Sequence, residues 1–182
     1  MSRASPLPAP ADDGGARHLT AGVALPDLAL PSTLGEPVNL RSRRGAAIVY
    51  VYPWTGRPGV PDPPGWDDIA GAHGSTPETE GFRDAYDKYA ALGVAVFGLS
   101  TQPTEHQREL GQRLRLPFAM LSDDAMRFQG ALALPTFPAG GVPYLKRLTL
   151  YVRDGTIVHT FYAVHPPGAH AFEVLRWLER SA

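Results

Sequence analysis

Ser75 stands just after His73-Gly74 and just before Thr76-Pro77, where a helix is expected to open. A serine becomes a nucleophile only with a base within hydrogen-bond reach, and His73 is the sole local candidate. The competing role for a serine there is simple capping of the helix. Glu80 follows five residues later, about 500° around a helix, so spacing alone does not aim it at the same atom as Ser75. It serves equally as a surface carboxylate favoured by the positive end of the helix dipole. Tyr52, Trp54, Trp66 and Phe137 either line an apolar pocket for an organic ligand or pack as core and lid. Arg57, in the same loop as the tryptophans, binds an anionic group or solvates the loop. His73, His165 and His170 fall at loop or element ends, where general acid or base work suits an imidazole. Solvated loop histidine is the alternative, and His165-Pro166-Pro167-Gly168-Ala169-His170 has no metal-ligand spacing, so no metal is expected.

The composition removes whole classes of chemistry. The 182 residues include no cysteine, which rules out disulfides, zinc–thiolate centres, iron–sulfur clusters and any thiolate mechanism. Lys+Arg 17 against Asp+Glu 18 gives a net charge of −1, no electrostatic footprint for nucleic acid or an anionic membrane. No stretch approaches the length of a membrane span, and the polar, proline-rich start does not read as a secretory signal, so a cytoplasmic protein is expected.

The elements that must position these residues are legible from patterning. Met1 to His18, with prolines at 6, 8 and 10, reads as a flexible tail or a packed-down arm, and the folded domain is expected from Leu19 to Ala182. Short early strands are expected around Val23–Leu25, Leu28–Leu30 and Val38–Leu40. Ala46–Tyr52 (AAIVYVY) is an uninterrupted β-branched and aromatic run, the pattern of a strand covered on both faces. The connection from Trp54 to Gly74 is long enough to imply a function or a cover over a site. A helix is expected after Thr76, with Phe82, Ala85, Tyr86, Tyr89 and Leu92 on one face and a stop at Gly93. Then come a strand over Val94–Leu99, a helix from Pro103 to Arg115, a strand at Phe118–Leu121 and a short helix over Asp124–Leu132. Asp154-Gly155 marks a hairpin between Arg147–Val152 and Thr156–Val164, and a last helix covers Ala169–Ser181. Strands alternating with helices, then a hairpin and a closing helix, describe an α/β fold with a mixed sheet.

Several segments taken together resemble peroxiredoxins, in particular the bacterioferritin-comigratory, alkyl-hydroperoxide-reductase-like branch. They are the strand ending in Tyr52-Pro53, the run Gly74-Ser75-Thr76-Pro77-Glu78-Thr79-Glu80-Gly81-Phe82-Arg83-Asp84, and the strand ending in Phe97-Gly98-Leu99-Ser100. Leu116-Pro117-Phe118, Leu121-Ser122-Asp123 and Lys146-Arg147-Leu148-Thr149-Leu150 follow in the same order. The resemblance spans Leu19 to Leu178 and implies a thioredoxin-like fold, a mixed central sheet flanked by helices. It also implies a peroxidatic cysteine at position 75 and, in some members, a resolving cysteine at 80; this chain has Ser75 and Glu80. A peroxidatic thiolate attacks the peroxide O–O bond and becomes a sulfenic acid, which a serine hydroxyl cannot do. By the same resemblance Arg147 is the arginine that orients peroxide, and Thr55 corresponds loosely to the active-site threonine.

A helix start carrying Ser75 and Thr76, with an arginine beside it, still makes an anion hole. Three functions follow. The first is a repurposed, cofactor-independent enzyme acting without redox chemistry on a small organic, anionic molecule. Arg147 and the helix start would stabilise charge, and His73, His165 or Glu80 would move protons. The second is a non-catalytic relative that binds a small-molecule ligand or a partner, with a homodimer among its states. The third is a thiol peroxidase whose cysteine has been changed to serine.

Overall fold

In the computed structural model, residues 8–181 are described. Ala46–Val51 forms β3, bonded on one side to the parallel strand β4 (Val94–Ser100) and on the other to the antiparallel β8 (Leu148–Arg153). Its residues alternate between two cores: Ala47, Val49 and Val51 enter one, Ile48, Tyr50 and Tyr52 the other. Both faces are dry, so the strand reads as a continuous apolar run rather than an alternating one.

The sheet is completed by β1 (Ala29–Ser32), β2 (Gly35–Asn39), β5 (Ala119–Ser122) and β9 (Thr156–Phe161), in the order β2-β1-β5-β4-β3-β8-β9. Strands β3, β4 and β5 are mutually parallel, β1 and β8 run antiparallel to them, and the edge strands β2 and β9 pair antiparallel to β1 and β8. One core lies beneath α1 (Ser75–Asp84), α2 (Tyr86–Ala91), α3 (Thr104–Leu114) and α5 (Pro167–Ser181). The opposite core takes Phe128 and Leu132 of α4 (Arg127–Leu132), together with Ala16 and Leu19. No helix among the described residues is long and apolar enough to cross a membrane.

Four local expectations are corrected. The helix expected to follow a Thr76 cap begins at Ser75, and Gly74 is its N-cap with φ 103°. A Cβ on Gly74 would lie 2.2 Å from Pro167 Cγ, so the start of α1 depends on packing against the start of α5. The single helix expected to reach Leu92 is two, divided at Ala85, which lets α1 lie along α5 while α2 covers β4. A second hairpin, β6 (Thr136–Ala139) with β7 (Val142–Leu145), was not expected because Pro138, Gly140-Gly141 and Pro143 read as loop. Finally, Val23–Leu25 is no strand, and only Ala24 makes a bridge, to Thr156.

Residues 8–18, within the segment read as a tail or arm, lie against the body. Ala16 is buried, and His18 Nε2 is 2.8 Å from the Leu132 carbonyl oxygen. Asp13 forms an ion pair with Lys146 at 2.5 Å and accepts a hydrogen bond from Tyr162 Oη at 2.7 Å. Residues 1–7 lie outside the described residues.

Candidate functional site

The stacked rings of Tyr50 on β3 and Phe82 on α1, centroids 4.4 Å apart, fix α1 on the sheet. Tyr50 Oη also donates to Thr79 Oγ1 at 3.2 Å. Arg147 directly precedes β8, and its guanidinium reaches the first turn of α1. Arg147 Nη2 donates to Ser75 Oγ at 3.1 Å and to the carbonyl oxygen of His73 at 3.1 Å. Its Nη1 pairs with Glu78 Oε2. Ser75, Glu78 and Arg147 are all buried.

Glu78 is the carboxylate that sequence reasoning missed. Expectation fell on Glu80, which is only half-buried and makes no hydrogen bond or ion pair among the described residues. Glu78 sits three residues after Ser75, one turn along the same face of the helix, and that spacing was the available signal. Burial pushes the Glu78 carboxyl up to about 7 despite the opposing pull of the Arg147 guanidinium. Glu78 Oε1 and Arg147 Nε are buried with no hydrogen-bond partner among the described residues. Across the niche, His170 Nε2 lies 2.9 Å from Thr149 Oγ1. Burial, then the charge of Arg147, holds that imidazole down at about 4, so it is neutral near pH 7.

His73 is not the base for Ser75. Its ring is 2.7 Å from Asp67 Oδ1, while Ser75 Oγ meets a guanidinium that can only donate. Thr55 turns its polar atoms to Gln102. Its N–H and hydroxyl both donate to Gln102 Oε1 at 3.0 Å, and its carbonyl accepts from Gln102 Nε2 at 3.0 Å. With His106 Nε2 2.8 Å from the same carbonyl, this is a clamp between the end of β3 and α3. Tyr52 is fully buried in the helix-side core. Arg57, 3.8 Å from Glu109, ties the long loop to α3 alongside Arg113, whose Nη2 donates to the Gly56 carbonyl at 3.2 Å. Trp54, Trp66, Phe137 and Tyr144 pack on one another with ring centroids 5.0 to 5.9 Å apart, giving the loop a core of its own.

The remaining expected residues meet at cavities around Ser75 and Arg147. One of about 330 Å³ is lined by His73, Gly74, Arg147, Val164 and His165, which brings two of the three histidines to the arginine; His170 lies in the core instead. A second, about 230 Å³, is lined by Trp54, Asp62, His73, Ser75 and Thr76. A third, about 260 Å³, has Phe137, Lys146, Arg147 and Tyr162. Asp62, Asp67 and His73 place one ligand atom each within 4.8 Å of one another, so a metal, if held, would take a ring nitrogen and two carboxylate oxygens in the long loop. The sequence directed attention to the His165–His170 segment, whereas the cluster joins His73 to aspartates that only the fold brings near.

The Redoxin family matches residues 20–175. The chain is 26% identical over 162 residues to the chloroplastic peroxiredoxin Q of Sedum lineare, covering 88% of this chain and 78% of that one. The Arabidopsis thaliana peroxiredoxin Q is 26% identical over 159 residues, covering 87% and 66%. Among solved structures, the peroxidoxin BcpB of Mycobacterium tuberculosis superposes with a TM-score of 0.71 at 22% identity, over 91% of this chain and 99% of that one. The bacterioferritin comigratory protein of Xanthomonas campestris gives 0.70 at 22%, over 88% and 98%. With a thioredoxin-like sheet, a cysteine-free sequence and Arg147 donating to Ser75 at the start of α1, the chain belongs to the Redoxin family and is similar to peroxiredoxins of the Q and bacterioferritin-comigratory type.

Proposed function

We propose that this chain is a redox-silent peroxiredoxin homologue that binds a small organic anion against Arg147, in the cavity shared by His73, Gly74 and His165. The single observation that carries this reading is the state of Arg147: buried, aligned on the first turn of α1, and with Nε unpartnered. Nη1 and Nη2 are engaged by Glu78, Ser75 and His73, which leaves Nε as the donor for an anion, and the helix start favours negative charge nearby. The cavity, about 330 Å³, is mostly apolar apart from the arginine and the imidazoles, which favours a small acid with little other polarity. With no thiol in the chain, hydroperoxide reduction through a sulfenic acid is not its chemistry.

The test is titration of the full chain with acetate and with succinate, following the backbone amide resonances of His73, Gly74 and Ser75. Saturable shifts at these amides are expected. They should weaken at least tenfold in Arg147→Lys, which keeps the charge and loses the fork, and vanish in the double variant Arg147→Met/Glu78→Leu, which removes both buried charges together. Neither acid shifting these amides would overturn the reading.

One observation favours a catalytic version, a non-redox enzyme working by acid–base and electrostatic catalysis. Glu78 lies beside Ser75 and Arg147 with a carboxyl poised near neutrality, as a group that moves protons should be. In that case a bound acid would be slowly converted during the titration, and Glu78→Gln would stop conversion while leaving binding within about threefold.

A further inference from the structure

Residues 8–13 lie outside the stretch matched by the Redoxin family, which begins at residue 20, yet they form walls of both cavities described above that Arg147 lines. Pro8 closes one side of the cavity shared with His165. Pro10 and Asp13 close the neighbouring one, opposite Phe137 and Lys146. The approach is close: a Cβ on Gly71 would come 3.1 Å from Pro10 Cβ, so a side chain at position 71 would crowd the arm.

The arm is held mainly by one residue. The Asp13 carboxylate takes a proton donor from Lys146 Nζ at 2.5 Å and another from Tyr162 Oη at 2.7 Å, both from the body. Its other oxygen contact, from the N–H of Gly15 at 2.9 Å, is within the arm. Asp13 therefore occupies, from within the chain, the place of an external carboxylate: a cation and a phenol at the mouth of a cavity whose depth holds Arg147 and the ring of Phe137. Together these donors and the 260 Å³ behind them suit an acid with a flat apolar body.

We propose that residues 8–13 are a displaceable cover over Arg147, latched by Asp13, and that a small carboxylate with an apolar body opens it by competing for Lys146 and Tyr162. The proposal rests on the anion-binding reading above and adds to it the gate and the preferred ligand shape. Because the latch is half-exposed and made by side chains at the surface, ligand and arm can exchange without disturbing the core.

The chain has no cysteine, so Ala9→Cys in the full chain gives a single site for a nitroxide label on the exposed arm. Benzoate is the probe, with neutral benzamide as its control. In the otherwise unchanged chain the label should be largely immobile, and benzoate, but not benzamide, should raise its mobile fraction. Asp13→Asn, and Asp13→Ala, which also removes the contact to Tyr162, should mobilise the label without ligand. Both should bind benzoate at least fivefold more tightly, as expected when an internal competitor is lost. Lys146→Met should free the arm yet weaken benzoate. An arm that stays immobile in both Asp13 variants overturns the latch. Equal benzoate affinity with and without Asp13, or no benzoate binding in any variant, overturns the competition. Acetate shifts at His73 and Gly74 are read separately, so loss of the gate and loss of the anion site give different patterns.

Discussion

Arg147 Nη2 lies 3.1 Å from Ser75 Oγ and donates to it, so the hydroxyl accepts a charge-assisted hydrogen bond at the first turn of α1. A helix start and a guanidinium both stabilise negative charge at that point. Serine makes little use of this, since its hydroxyl is neutral near pH 7.

Ser75→Cys should make use of it. The new thiol is expected to have a pKa below the ordinary 8.5, and the variant to consume hydrogen peroxide with an external thiol as reductant while the parent chain does not. Following thiolate absorbance against pH and peroxide loss against time checks both. A thiol pKa at or above the ordinary value would show that the niche no longer stabilises an anion.

The buried pair of Glu78 and Arg147 should be costly to break and cheap to replace. At a pH above the Glu78 value of about 7, where the carboxyl is ionised, Glu78→Gln leaves a buried guanidinium without its counter-charge and is expected to lose ~3–5 kcal/mol in urea unfolding. The double variant Arg147→Met/Glu78→Leu should recover most of that loss. Equal losses in the single and double variants would mean that the pair is not what the single variant disturbs.

Stability should depend on pH in two opposed ways. Glu78 holds its proton in the folded chain up to about 7, against 4.5 ordinarily. Its contribution is therefore complete below about pH 4.5 and is lost as pH rises to 7. His170 is held at about 4 against 6.5, so its contribution is complete above pH 6.5 and is lost as pH falls to 4. Between pH 4.5 and 6.5 the two slopes offset each other in the parent chain. His170→Asn should remove part of the opposing slope, which His106 and His159 share, so that stability falls more steeply with rising pH in the variant than in the parent. Parallel urea curves for parent and variant would contradict the assignment.

Gly74 and Gly59 both have positive φ, 103° and 78°, but only Gly74 has a neighbour in the way of a Cβ. Gly59→Ala should cost ~1 kcal/mol for the left-handed backbone alone. Gly74→Ala should cost at least ~2 kcal/mol more, because Pro167 must move. Pro167→Ala in the Gly74→Ala background should return part of the difference. Equal thermal shifts for the two glycine variants would remove Pro167 as the reason for a glycine at position 74.

Trp66 is buried although it stands in a long loop, because Trp54, Phe137 and Tyr144 surround it. Trp66→Ala should therefore speed amide exchange across residues 56–72 while the amides of β3 and β4 stay protected. Loss of protection in β3 would make the loop part of the main core rather than a layer upon it.

Much of this arrangement could be read in the sequence, and the parts that could not share a cause. Ala46–Tyr52 announced a strand covered on both faces, and Asp154-Gly155 announced the turn between β8 and β9, because both signals are local. The helix start was misplaced by the appeal of Thr76-Pro77 as a cap, since what sets it is Gly74 against Pro167, ninety-odd positions away. Position 80 stands out in a family pattern, whereas one turn of helix after Ser75 leads to Glu78. Thr55 was drawn to Ser75 by its neighbours in sequence, but Gln102 and His106, on the α3 side, claim its polar atoms. The β6–β7 hairpin was masked by the prolines at 138 and 143, which face each other across the ladder. Pairing of that kind leaves no local signature.

The alcohol at position 75 has a consequence for durability. Relatives that rely on sulfur can be inactivated by the very molecules they remove, through steps that no cellular thiol reverses. Ser75 gives peroxide no such handle, because an alcohol has no thiol oxidation ladder, so the charge at position 75 is the same before and after exposure to it.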